Sequence, residues 1–143
     1  MSLNHRIIAA AGLAVWISSA TLVEARAPSQ QKVAWTTLSQ VKEAGSAVEF
    51  SREVAALDRT RVAIQGFRVP LEVKTHFLIA AQPSDCDHCI EGGPASYVEV
   101  FSKEPMKPTF GRPLTVAGNL ELVRSSPSGS YYRLTDAELV SVD

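Results

Sequence analysis

Leu114, Val116, Gly118, Leu120 and Leu122 occupy alternate positions over nine residues. Successive side chains of a strand point to opposite faces, so this spacing places all five on one side of an extended segment. A helix cannot hold that pattern, because its faces recur near every 3.6 residues. The same alternation runs through Arg61–Gln65, where Val62 and Ile64 share a face. Thr75–Ala81 and Ser96–Phe101 are rich in strand-forming residues and read as two more strands. Residues 125–129, Ser-Ser-Pro-Ser-Gly, read as a turn, and Ser130–Leu134 returns as the partner strand. Ala137–Val142 is expected to add a short final strand, and residues 102–112, with Lys, Pro and Gly, a long connection.

Gly66 falls where the apolar phase passes from Val62 and Ile64 to Phe67, Val69 and Leu71. That slip predicts a β-bulge or sharp bend. Pro70 cannot donate to a ladder, which makes this half an edge or a turn. Residues 49–57 place Phe50, Val54 and Leu57 at helical spacing, with Ser51 as the N-cap. Trp35–Leu38 is an apolar cluster with Trp35 as a core or lid anchor. There is no internal repeat. Five or six strands and one or two short helices make the chain mainly β. The expected fold is a small OB-like β-barrel, with a small β-sandwich as the alternative.

Residues 1–27 read as a secretory signal peptide. Arg6 supplies the positive charge, Ile7–Val23 is almost free of charge, and Ala25-Arg26-Ala27 offers a cleavage site. A retained anchor is the alternative, since the apolar run is near the ~17-residue minimum for a span. Cleavage would leave residues 28–34 as a flexible leader and 35–143 as one domain, with no membrane span and a periplasmic location. The full chain has 14 Lys and Arg against 15 Asp and Glu; losing Arg6, Arg26 and Glu24 leaves 12 against 14. A nucleic-acid partner would favour a basic face, so this near balance argues against one.

Both cysteines of the chain lie in Cys86-Asp87-His88-Cys89, followed by Ile90-Glu91-Gly92-Gly93-Pro94. Thiols at this spacing can close into a disulfide, hold a soft metal or exchange electrons with other thiols. As a metal site, Cys86 and Cys89 supply two ligands and His88 lies between them; His76 reads first as an outward-facing or satisfied polar edge residue, and adds another ligand only if the barrel brings its strand beside the loop. Asp85, Asp87 and Glu91 then serve as outer partners or hard ligands. Thiolates suit zinc or copper(I), but the second Cys/His pair of a structural zinc signature is absent from the sequence. As a redox site the motif lacks a helix to lower a thiol pKa, and the three nearby acids oppose a thiolate. As a disulfide, Cys86–Cys89 would pin the Gly-Gly-Pro turn, favoured by an oxidising compartment. No Ser-His-Asp set, paired-carboxylate signature, phosphate loop or HExxH occurs, so an enzyme is not expected. Arg68 and Glu72 read as solvated surface charge, and Tyr97, Tyr131 and Tyr132 as core and rim packing.

Several segments occur together in a recognisable order: Trp35, the strand Val62-Ala63-Ile64-Gln65-Gly66-Phe67-Arg68-Val69-Pro70-Leu71-Glu72, Phe77-Leu78-Ile79, the Cys86–Pro94 loop and Val98-Glu99-Val100. Val116-Ala117-Gly118 and Tyr132-Arg133-Leu134 close the pattern. This order resembles an exported bacterial family catalogued only as a domain of unknown function. Some members of that family carry a single Cys with His and prolines in place of the cysteine pair, which implies a metal site rather than an obligate disulfide. The resemblance also implies work beside envelope transport systems, metal uptake among them, and supplies no catalytic residues. The expected function is therefore an exported accessory protein that binds metal through the CDHC loop, in envelope transport or metal homeostasis. A thiol–disulfide oxidoreductase and a disulfide-stapled interaction module are the alternatives.

Overall fold

A computed structural model of the chain describes residues 30–44, 47–70, 73–107, 109, 111–124 and 129–143. The proposed signal segment, Leu71, Glu72 and most of the 125–129 turn lie outside them. Five strands close on themselves: β4 (Arg61–Arg68), β5 (His76–Ala80), β6 (Tyr97–Ser102), β7 (Pro113–Leu122) and β8 (Tyr132–Val142). Strand β4 is antiparallel to both β5 and β7, which seals the barrel. Strands β5 and β6 are antiparallel, β6 and β8 parallel, and β8 and β7 antiparallel. This order, with its one parallel pairing between the third and fifth barrel strands, is the OB-type arrangement. The barrel reading therefore holds and the sandwich alternative falls.

Alternation builds the core. Val62, Ile64, Phe77, Ile79, Val98, Val100, Leu114, Val116, Leu120 and Leu134 point inward and are buried. Two short helices, α1 (Trp35–Leu38) and α2 (Arg52–Ala55), add Leu38 and Val54 to the same cluster. Each such burial contributes about 1.5–3 kcal/mol. The hydroxyl of Ser51 caps α2 by accepting from the Val54 N–H at 3.2 Å, as its sequence position predicts. The helix is shorter than expected, because Phe50 belongs to β3 (Ala47–Phe50), which forms a hairpin with β2 (Val41–Ala44).

Three expectations need correction. Residues 28–34 are not wholly an unstructured leader, since Gln31–Val33 forms β1, parallel to Val62–Ile64 of β4. Strand β5 pairs with only the last two residues of β4, and β1 takes the edge thus left open. Gly66 is not a bulge, for the β4–β7 register runs unbroken from Arg61 to Phe67. Glycine is required there because a Cβ would sit 2.7 Å from the Ala80 carbonyl and 3.1 Å from the Trp35 ring. Trp35 also donates its indole N–H to the Gln65 carbonyl at 2.7 Å, fixing α1 against the barrel.

The third correction concerns Arg68. With no phase slip, Arg68 stays on the same face as Val62 and Ile64, and it is only 3% exposed. Its guanidinium lies 4.1 Å from the Phe77 ring centroid. It donates to the Met106 carbonyl at 2.7 Å and the Val73 carbonyl at 3.1 Å. Burial lowers its pKa, yet a guanidinium remains charged. Arg68 thus ties the β4–β5 connection and the β6–β7 connection to the barrel.

Tyr132 is fully buried and donates its hydroxyl to the Leu38 carbonyl. Burial, with Tyr131 beside it, raises its pKa above the ordinary tyrosine value. A raised folded pKa leaves the stability contribution intact below the unfolded value of about 10 and removes it as pH climbs further. Unfolding free energy should therefore fall above about pH 10. Tyr132→Phe should flatten that decline while costing about 1–2 kcal/mol at neutral pH. Chemical denaturation at pH 7 and over the alkaline range checks both.

Candidate functional site

The CDHC segment lies in the connection between β5 and β6. The Ala81 N–H donates to the Ser96 carbonyl at 2.9 Å and closes the stem of the loop. Ile90 then packs, as Tyr97 does, against Val69, Leu78 and Ala80, a second apolar cluster separate from the main core. The alternation that sends Phe77 and Ile79 inward gives Leu78 and Ala80 to this outer cluster, which anchors the loop through Ile90. Gly92 and Gly93 have φ of 89° and 72°, in the left-handed region that glycine enters without strain. They reverse the chain into a 3₁₀ turn, Gly93–Ala95, that leads into β6.

Cys86 and Cys89 are joined as a disulfide, with their Cα atoms 5.2 Å apart across a second 3₁₀ turn, Asp87–Cys89. The Ser84 hydroxyl donates to the Cys86 carbonyl at 2.7 Å, and the Cys89 N–H donates to the same oxygen at 3.2 Å. Asp87 accepts from the His88 N–H at 2.9 Å and lies 2.6 Å from His88 Nδ1. The His88 side chain is 90% exposed. Donor atoms of Cys86, Asp87 and His88 all fall within 4.8 Å of one another. The Asp87 charge also reaches Tyr97, whose pKa is raised by burial first and then by Asp87 and Glu99.

His76, Asp85 and Glu91 do not belong to that cluster of donors. His76 is instead engaged on the outer face of the barrel. Its Nε2 lies 2.9 Å from Glu99 Oε1, and its ring stacks on Phe101 with centroids 4.2 Å apart. Glu99 is 3% exposed and also accepts from Arg133 Nη2 at 3.2 Å and Nε at 3.3 Å. The parallel register sets Glu99 opposite Arg133. A buried carboxylate requires partners of this kind, which meet its oxygens with N–H groups. The sequence reading missed this group. Glu99 alternates with Val98 and Val100, which marks it as outward-facing, but no local signal shows that His76 and Arg133 cover it.

One solved structure places the fold. A DUF3299 family protein from Pseudomonas aeruginosa PAO1 superimposes with a TM-score of 0.58 and 17% sequence identity. The match covers 80% of this chain and 98% of that one. The chain shares its fold with a protein of an uncharacterised domain family. At this identity the likeness speaks for the fold and not for a site. No protein-family model and no curated protein matches the sequence. Among the described residues no helix is long and apolar enough to cross a membrane.

Proposed function

We propose that this protein is an exported, non-enzymatic accessory protein of the bacterial envelope whose β5–β6 loop holds a thiophilic metal ion in its dithiol form. The observation that carries this reading is the convergence of Cys86, Asp87 and His88 donor atoms within 4.8 Å on an accessible loop. Opening the disulfide would add two thiolates beside an imidazole and a carboxylate, a donor set suited to zinc or copper(I). His76 has no part in this first set while it is bonded to Glu99. The ion would be exchangeable, since all its protein ligands come from one exposed turn. Such lability fits delivery to, or protection of, an envelope transport system better than a structural role.

Reduced protein should bind about one zinc ion at micromolar concentration, a ratio expected of a single CxxC-centred site. The disulfide form should bind none at the same concentration. Equilibrium dialysis of both forms, without an affinity tag containing histidine, checks this. Equal retention by the two forms would rule out the thiols as ligands. An absence of binding by the reduced form would leave the second reading, an interaction module stapled by Cys86–Cys89. That alternative is favoured by the disulfide itself and by the seating of Ile90 on the outer cluster. Export predicts that N-terminal sequencing of the protein from its source cells begins at or near the Ala25–Ala27 site. Recovery of an intact N-terminus in the membrane fraction would favour an anchor.

A further inference from the structure

The two cysteines of the loop are not equally exposed. Cys86 is half-buried, whereas Cys89 is exposed. The Cys86 carbonyl is held by the Ser84 hydroxyl and the Cys89 N–H. A thiolate opens a disulfide by attacking one sulfur and expelling the other, and access decides much of which sulfur is chosen. At Cys86 an incoming thiolate meets a partly buried residue. Cys89 is the more exposed residue of the pair.

We propose that Cys89 is the thiol-exchange site of this loop, the sulfur through which an external dithiol opens the disulfide. The inference rests on the reading that the loop works as a dithiol, and it supplies the step that brings the loop to that state. In the first step a thiolate of the reductant bonds to Cys89 Sγ. The Cys86–Cys89 bond breaks, and Cys86 leaves as a thiolate that takes up a proton. In the second step the reductant's other thiol, as thiolate, attacks its own sulfur in the mixed disulfide. Cys89 leaves as a thiolate and is protonated in turn. The reductant passes from dithiol to disulfide, and two electrons and two protons reach the protein. Access, and not position in the motif, makes the second cysteine the one attacked here.

The same sulfur carries the mixed disulfide in both directions, so the reverse reaction reads the choice. Cys86→Ser, which keeps Cys89, and Cys89→Ser, which keeps Cys86, are each mixed with excess glutathione disulfide at neutral pH. Adduct formation is followed by intact mass. Cys86→Ser should gain glutathione about tenfold faster or more. In reduced wild-type protein, a brief pulse of glutathione disulfide quenched with acid should leave the first adduct on Cys89 by peptide mapping. The wild-type measurement stands even if a variant folds poorly. Equal rates, faster reaction at Cys86, or a first adduct on Cys86 would overturn the proposal. The metal reading fails separately. If chemically reduced wild type binds no zinc, that reading is lost while the sulfur selectivity stands.

Discussion

Replacing Arg68 by alanine should lower the unfolding free energy by about 2–4 kcal/mol, the largest stability effect expected of a single charged side chain here. Three losses combine. The hydrogen bonds to the Met106 and Val73 carbonyls disappear, and Val73 and Met106 sit on two different connections. The stacking of the guanidinium over Phe77 disappears as well, worth up to about 2 kcal/mol when desolvated. The space left by a long buried side chain then adds a cavity cost. Relief from burying a charge offsets part of this. Arg68→Met separates the contributions, since it retains length and apolar contact without the charge. Urea denaturation should rank wild type above Arg68→Met, and Arg68→Met above Arg68→Ala. A methionine variant as stable as wild type would mean that packing, and not the two carbonyl bonds, is what Arg68 supplies.

Cys86→Ser should weaken zinc binding by the reduced protein about a hundredfold or more, because it removes one of only two soft ligands. Cys89, His88 and Asp87 remain, yet three neighbours on one 3₁₀ turn with a single thiolate hold a tetrahedral ion poorly. Cys89→Ser should have a similar effect, whereas His88→Ala should cost less, as the loss of a neutral ligand that solvent can replace. His76→Ala should leave zinc affinity unchanged, since His76 is bonded to Glu99. Competition with a colorimetric zinc chelator, performed without oxygen, gives these constants. A strong loss with His76→Ala would mean that reduction rearranges the outer face and brings His76 to the loop.

What could be read in the chain, and what could not, follows the range of the forces involved. The alternation at Leu114–Leu122 and Arg61–Gln65 is a local property of an extended backbone, so the strands and the core face were legible residue by residue. The Ser51 cap was legible for the same reason, as its bond spans three residues. Strand β1 was not, since three residues carry no period and become a strand only through the free edge of β4. Gly66 was misread because a glycine demanded by the Ala80 carbonyl, a contact from another strand, looks in sequence like a bulge. Arg68 was misread with it, for a charge inside the barrel is tolerable only where distant carbonyls meet it. The CDHC spacing marked the candidate site and left its chemistry open. Giving His76 to Glu99 and aligning Glu99 with Arg133 belong to tertiary structure. The sequence alone determined the barrel strands and the apolar side chains they turn inward, because neighbouring residues settle that between themselves. The tertiary structure decided which charges could be buried and which donor atoms meet, because those depend on partners that only the closed barrel brings near.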